Sequence, residues 1–150
     1  MKLTPDSHLD HDLLPEHVAL IEQRFVARAE FFIETFDLPA DVPPVPCGLW
    51  GPLVGDAPVP DTEVELRPRG TREGLSRLVA RPARLTRMVT VIAGPHQGEP
   101  CVLYTAFGGP LTPREPWDAS LTPEQAAESR AFWAEHALSA PAADPGQDAG

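Results

Sequence analysis

Phosphoryl or proton-transfer chemistry near neutral pH needs a base, an acid and a fixed cation, and only a few side chains in this sequence supply them. His17, the arginines around Arg84 and Arg87, His96, and the adjacent hydroxyls of Tyr104 and Thr105 are the candidates. Arg87 abuts a β-branched run and is the candidate anion binder, because a guanidinium presents a planar two-donor fork that matches phosphate oxygens. Arg84, Arg69 and Arg114 are further candidate substrate contacts. His17 falls in the first turn of an expected helix, where the dipole disfavours imidazolium. It reads as a neutral base or as an exposed or capping residue. His96 lies in an expected turn and is the alternative proton-transfer group. Near the N-terminus His8, Asp10, His11 and Asp12 fall close together, a metal-type cluster or a solvated lead-in. Without a third fixed ligand no metal is assigned, and no cofactor motif is present. GxGxxG, P-loop, GxSxG and HExxH are all missing from the sequence.

The elements that position these groups follow from periodicity. Leu85–Ala93 and Cys101–Phe107 are dense in β-branched and apolar residues, and Gly94 to Gly98 between them can reverse the chain, which predicts a central antiparallel hairpin. Alternation puts Val89 and Val91 on one face and Met88, Thr90 and Ile92 on the other, and sets Tyr104 and Thr105 on opposite faces. Both faces are largely apolar, so the hairpin is expected to be covered on both sides. Pro15 at the first helical position and apolar residues at 18, 21, 25, 29, 32 and 36 predict one long helix from Pro15 to Phe36. Seven prolines between Leu38 and Pro60 predict a packed loop, and Thr62–Arg67 alternates as a half-exposed strand. Gly70–Arg81 fits a short helix or a strand with a turn. Thr122-Pro123-Glu124-Gln125 announces a second helix running to about Leu138, with Thr122 as N-cap and Gln125 returning to it. The predicted fold is α+β: an antiparallel sheet around a central hairpin, packed by a long N-terminal helix and a C-terminal helix. Phe25, Phe32, Val91, Leu103, Phe132 and Trp133 are expected to share its core.

One domain over residues 1–139 suits this length, and residues 140–150, APAADPGQDAG, are expected to be a disordered tail. The apolar runs are too short to cross a bilayer and the N-terminus lacks a signal-type apolar segment, so the expectation is a soluble, cytoplasmic protein. Cys47 and Cys101 are expected to be reduced thiols. One Lys against eleven Arg, with abundant Ala and Pro, fits a GC-rich bacterial genome. The net charge is −10, yet residues 67–92 carry seven Arg against Glu73 alone. Global acidity disfavours a general nucleic-acid coat and leaves room for a focused anion site, while the arginines could instead pair with the acidic N-terminal helix.

A His-bearing N-terminal helix, Arg-rich strands, and a strand ending in Tyr104-Thr105 before a Gly-containing turn resemble the metal-independent ribonucleases of the barnase, EndoU, colicin and RelE superfamily. The resemblance lies in element order and residue type over roughly residues 8–110. It implies cleavage of RNA by attack of the ribose 2′-hydroxyl, with His17 as base or acid, Arg87 stabilising the phosphorane, and Tyr104 or Thr105 orienting phosphate. The partner would be RNA or another phosphate-bearing or acidic ligand. The alternative is a non-catalytic anion- or protein-binding module using the Arg67–Arg87 block and the Gly108–Asp118 loop, with Trp50 and Trp117 as contact residues.

Overall fold

The computed structural model describes residues 1–69 and 72–139; the side chains of residues 54, 69 and 72 are outside that description, as is the whole expected tail at 140–150. The elements are β1 (His8–Leu9), α1 (Pro15–Phe25), β2 (Phe32–Asp37), β3 (Val45–Cys47), β4 (Leu49–Trp50) and β5 (Val64–Arg69). They continue with β6 (Arg72–Val79), β7 (Arg84–Thr86), β8 (Met88–His96), β9 (Glu99–Gly108), α2 (Pro123–Glu135) and β10 (Ala137–Ser139). The fold is α+β with mainly antiparallel sheets, as the sequence predicts. It divides into two compact units, one formed by Met1–Cys47 with Leu85–Leu111 and the other by Gly48–Arg84 with the chain from Thr112.

The first unit is built on the expected hairpin of β8 and β9, whose tight turn places Gln97 at φ 48° and Gly98 at φ 84°. Two consecutive positive φ values give a turn whose twist matches that of the strands it joins. The sheet order is β1-β9-β8-β2, with β1 added in parallel to β9. The long N-terminal helix stops at Phe25, and Phe32–Asp37 is a strand paired with β8 from Phe32↔Ala93 to Asp37↔Met88. The apolar spacing that suggested one helix therefore splits into a helical stripe and an alternating strand. Phe32 and Phe36 point inward in both readings, because a separation of four residues returns to the same side under either period. Ile21 and Phe25 from α1 meet Phe32, Phe36, Val89, Val91, Ala93 and Leu103 in this unit's core. The outer sheet face is only partly covered: Phe31 and Ile33 are exposed, while Thr90 is buried and donates to the Gly109 carbonyl at 2.7 Å.

Between Ile92 and Ala93 the register shifts by one residue, Ile92 facing Thr105 and Ala93 facing Leu103. Tyr104 is the extra residue of this β-bulge, which corrects the expectation that Tyr104 and Thr105 alternate across the sheet. The second unit has a sheet of order β4-β10-β6-β5, in which Arg72–Val79, within the segment read as a short helix or a strand with a turn, is strand β6. Val59, Val79 and Ala137 form its core, with Trp50 and Val64 against them. Thus Phe25, Phe32, Val91 and Leu103 share a cluster that Phe132 and Trp133 do not enter.

Candidate functional site

A well-formed concavity of about 460 Å³ lies in the second unit. Its floor comes from β5 and β6, where Leu66 pairs with Arg77 and Pro68 with Leu75, so that Leu66, Leu75 and Arg77 lie on one sheet face. One wall is α2, which contributes Arg130, Trp133 and Ala134, and Leu138 of β10 adjoins it. The other wall is the loop segment Glu115-Pro116-Trp117. Trp117 can approach because Gly74 has φ +92° and no side chain: a Cβ there would lie 2.0 Å from the indole. A glycine inside a strand commonly marks such a close approach.

Two devices fix these walls. Helix α2 starts as predicted, with the Gln125 amide donating to Thr122 Oγ1 at 3.1 Å and the Thr122 amide donating to Gln125 Oε1 at 2.9 Å. The buried Ser129 hydroxyl donates to the Arg114 carbonyl and ties the loop to the helix. Arg77 is consumed structurally: Nε donates to the His136 carbonyl at 3.0 Å and Nη1 to Asp61 at 3.0 Å, while Nη2 reaches the Val59 and Ala134 carbonyls. Ser76 donates to Glu115 at 3.5 Å. Leu66, Leu75 and Trp117 remain exposed around the opening.

The residues selected from sequence do not meet there. His17 is fully buried; its Nδ1 accepts the Leu14 amide at 3.0 Å, and its Nε2–H donates to the Pro43 carbonyl at 2.7 Å. Both ring nitrogens are thereby occupied in the neutral tautomer, so His17 caps α1 from within and cannot reach a substrate. Arg87 holds the same loop, donating through Nη1 to the Pro39 and Val42 carbonyls at 2.9 and 2.8 Å. These two do converge, but on backbone oxygens. His96 pairs with Asp6 at 3.1 Å, and the Tyr104 hydroxyl donates to the Pro95 carbonyl near the hairpin turn. Thr105 lies opposite His8 on β1 and borders a recess of about 320 Å³ with Asp10 and His11.

Asp10, His11 and Asp12 bring one ligand atom each within 4.8 Å of one another, but His11 is almost fully exposed and only carboxylates flank it at 3.5 Å. Arg84 ion-pairs with Asp56, donates to the Leu49 carbonyl at 2.7 Å, and lies 3.9 Å from the Trp50 ring centroid. Arg114 donates to Ser120 Oγ at 2.6 Å, and Arg69 ends β5 with its side chain outside the described set. Within the arginine block Arg67 pairs with Glu65, Arg77 with Asp61 and Arg81 with Glu63, acids that lie outside the N-terminal helix. Sequence reasoning named Trp117 and the loop but missed Leu66, Leu75, Arg130 and Trp133; Gly74 within a strand was the available signal.

Comparison with protein families, with curated proteins and with solved structures finds no match to this chain.

Proposed function

We propose that the protein is a non-catalytic binding module whose site is the cavity between α2, the β5–β6 floor and the Trp117 loop. The observation that carries this reading is a cavity of about 460 Å³ walled by Leu66, Leu75, Trp117, Trp133 and Leu138. Apolar concavities of roughly 300–1,000 Å³ with a few polar groups are the usual form of small-ligand sites. Most of the walls stand on a helix and strands, so the shape is held in the absence of a guest. The loop expected to make contacts supplies Glu115, Pro116 and Trp117, but the arginine block contributes through Arg77 as a structural clamp and not as an anion cradle. Metal-independent phosphodiester cleavage requires a base, a cation and a hydroxyl in one cleft; here His17 and Arg87 are spent on the carbonyls of residues 39–43 and Tyr104 on that of Pro95.

The test is titration with the neutral fluorescent probe N-phenyl-1-naphthylamine. Saturable binding at one site per chain is expected, and Ala134→Trp, which fills the cavity from an exposed helix position, should remove it. Absence of saturable binding, or binding unchanged in Ala134→Trp, overturns the reading. Cleavage of mixed RNA in excess chelator that Arg87→Ala abolishes would replace it with the ribonuclease one.

A further inference from the structure

Resting on the reading of the cavity as a binding site, we infer that its guest is an amphipathic monocarboxylic acid, an apolar chain or ring ending in a single carboxylate. The apolar part follows from the walls, where Leu66, Leu75 and Leu138 offer surface with no hydrogen-bonding demand and Trp117 adds a largely apolar ring. Size follows from volume: about 460 Å³ takes on the order of fifteen heavy atoms, if each is given the ~30 Å³ that a water occupies in the liquid.

The charge follows from an inventory of polar groups at the lining. Arg77 has donors committed to three carbonyls and Asp61. Glu115 accepts from Ser76 and has a further interaction. Arg130 is exposed, lines the cavity, and has no hydrogen-bond or ion-pair partner among the described residues. The charged group left for a guest is therefore a guanidinium, whose donor fork matches a carboxylate in two parallel hydrogen bonds. The indole N–H of Trp133, on a ring that forms the wall, is also buried without an acceptor among the described residues. A cationic guest would place its charge near two arginines, and a neutral one would leave Arg130 idle. A dianion is disfavoured as well: one free arginine balances one charge, and the chain already carries −10.

Calorimetric titration with octanoate, octanol and octylammonium, equal in chain length and different in head group, tests the inference. Octanoate should bind at least about tenfold tighter than the other two, the factor expected of one charge-assisted hydrogen-bonding pair. Arg130→Gln should bring octanoate to the level of octanol and leave octanol unchanged, while Ala134→Trp should abolish all binding. Equal affinity of octanoate and octanol, or an octanoate preference that survives Arg130→Gln, overturns the acid assignment and leaves the cavity reading standing. Tighter binding of octylammonium overturns it in favour of Glu115 as the anchor. Failure of all three ligands, together with failure of the neutral probe, removes the cavity reading and the acid assignment with it.

Discussion

The two units treat their buried polar groups differently. In the first, His17 at 0% exposure has both nitrogens engaged, Thr90 at 0% bonds both the Gly109 carbonyl and the Thr35 hydroxyl, and the Cys101 thiol donates to the Glu30 carbonyl. In the second, the indole N–H groups of Trp50 and Trp133 and Nε2 of His136 are buried without hydrogen-bond partners among the described residues, and Leu66, Leu75 and Trp117 stand exposed around a cavity. Each buried unsatisfied group costs about 1–3 kcal/mol, so the second unit forgoes stability that the first retains. Departures from full satisfaction tend to mark functional or strained places, and one of them, the Trp133 indole, stands on the cavity wall. Under the binding reading proposed above, the second unit is the one whose unpaired groups a guest would complete.

The strongest way to break this contrast is to truncate the first unit's core. Phe25 is 2% exposed and its ring lies 4.9 Å from Phe32 and 5.7 Å from Phe36, so Phe25→Ala should cost about 3–5 kcal/mol in chemical denaturation. A loss below about 1 kcal/mol would mean that this core is loosely packed and that the contrast is false. His17→Ala comes next. It strips the Leu14 amide and the Pro43 carbonyl of their partner, for an expected loss of about 1–3 kcal/mol with no change in any binding or RNA-cleavage assay. Unaltered stability in His17→Ala would remove the polar half of the comparison.

These variants also show what was legible in the sequence. The hairpin, the Thr122–Gln125 cap and strand β5 were readable because local turn chemistry and period determine them. Helix α1 was overextended because Phe25, Phe32 and Phe36 satisfy a helical stripe, while the pairing of Phe32–Asp37 with β8 is a tertiary fact that no local pattern encodes. The candidate site was hard to read for a related reason. Histidine and arginine announce chemistry by type, yet the carbonyls of residues 39–43 that absorb His17 and Arg87 are backbone groups, available in any sequence. Conversely, Leu66, Trp133 and Leu138 look like ordinary core residues until β6, α2 and β10 leave a space between them.

A smaller effect sharpens the comparison from the second unit's side. Gly74→Ala adds a methyl at φ +92°, where L side chains cost about 1–2 kcal/mol, and drives it into the Trp117 indole. Stability should fall by about that amount, with a red shift in tryptophan emission and loss of probe binding as the loop wall moves. A Gly74→Ala protein that binds the probe normally would show that Trp117 is not part of the site.

The smallest effect lies on the surface and asks whether ion pairs, and not the packing around the cavity, hold the second unit. Arg67 Nη2 donates to Glu65 at 2.9 Å on β5, and both side chains are solvent-exposed. This hydrogen bond first, and the guanidinium charge second, hold the Glu65 carboxyl below its ordinary value of 4.5. Because the folded value lies below the unfolded one, the ionised pair favours the folded state above the ordinary value, and that contribution is lost as pH falls through the lowered one. Water and salt screen such a pair, so Glu65→Gln should leave the midpoint of thermal unfolding at neutral pH almost unmoved. An NMR titration of the Glu65 carboxyl carbon should give a midpoint below 4.5 that returns toward it in Arg67→Ala. If Glu65→Gln instead unfolds the second unit's sheet at neutral pH, surface charge and not the small core of Val59, Val79 and Ala137 holds it, and the open cavity would then be a consequence of weak packing and no longer a mark of a site.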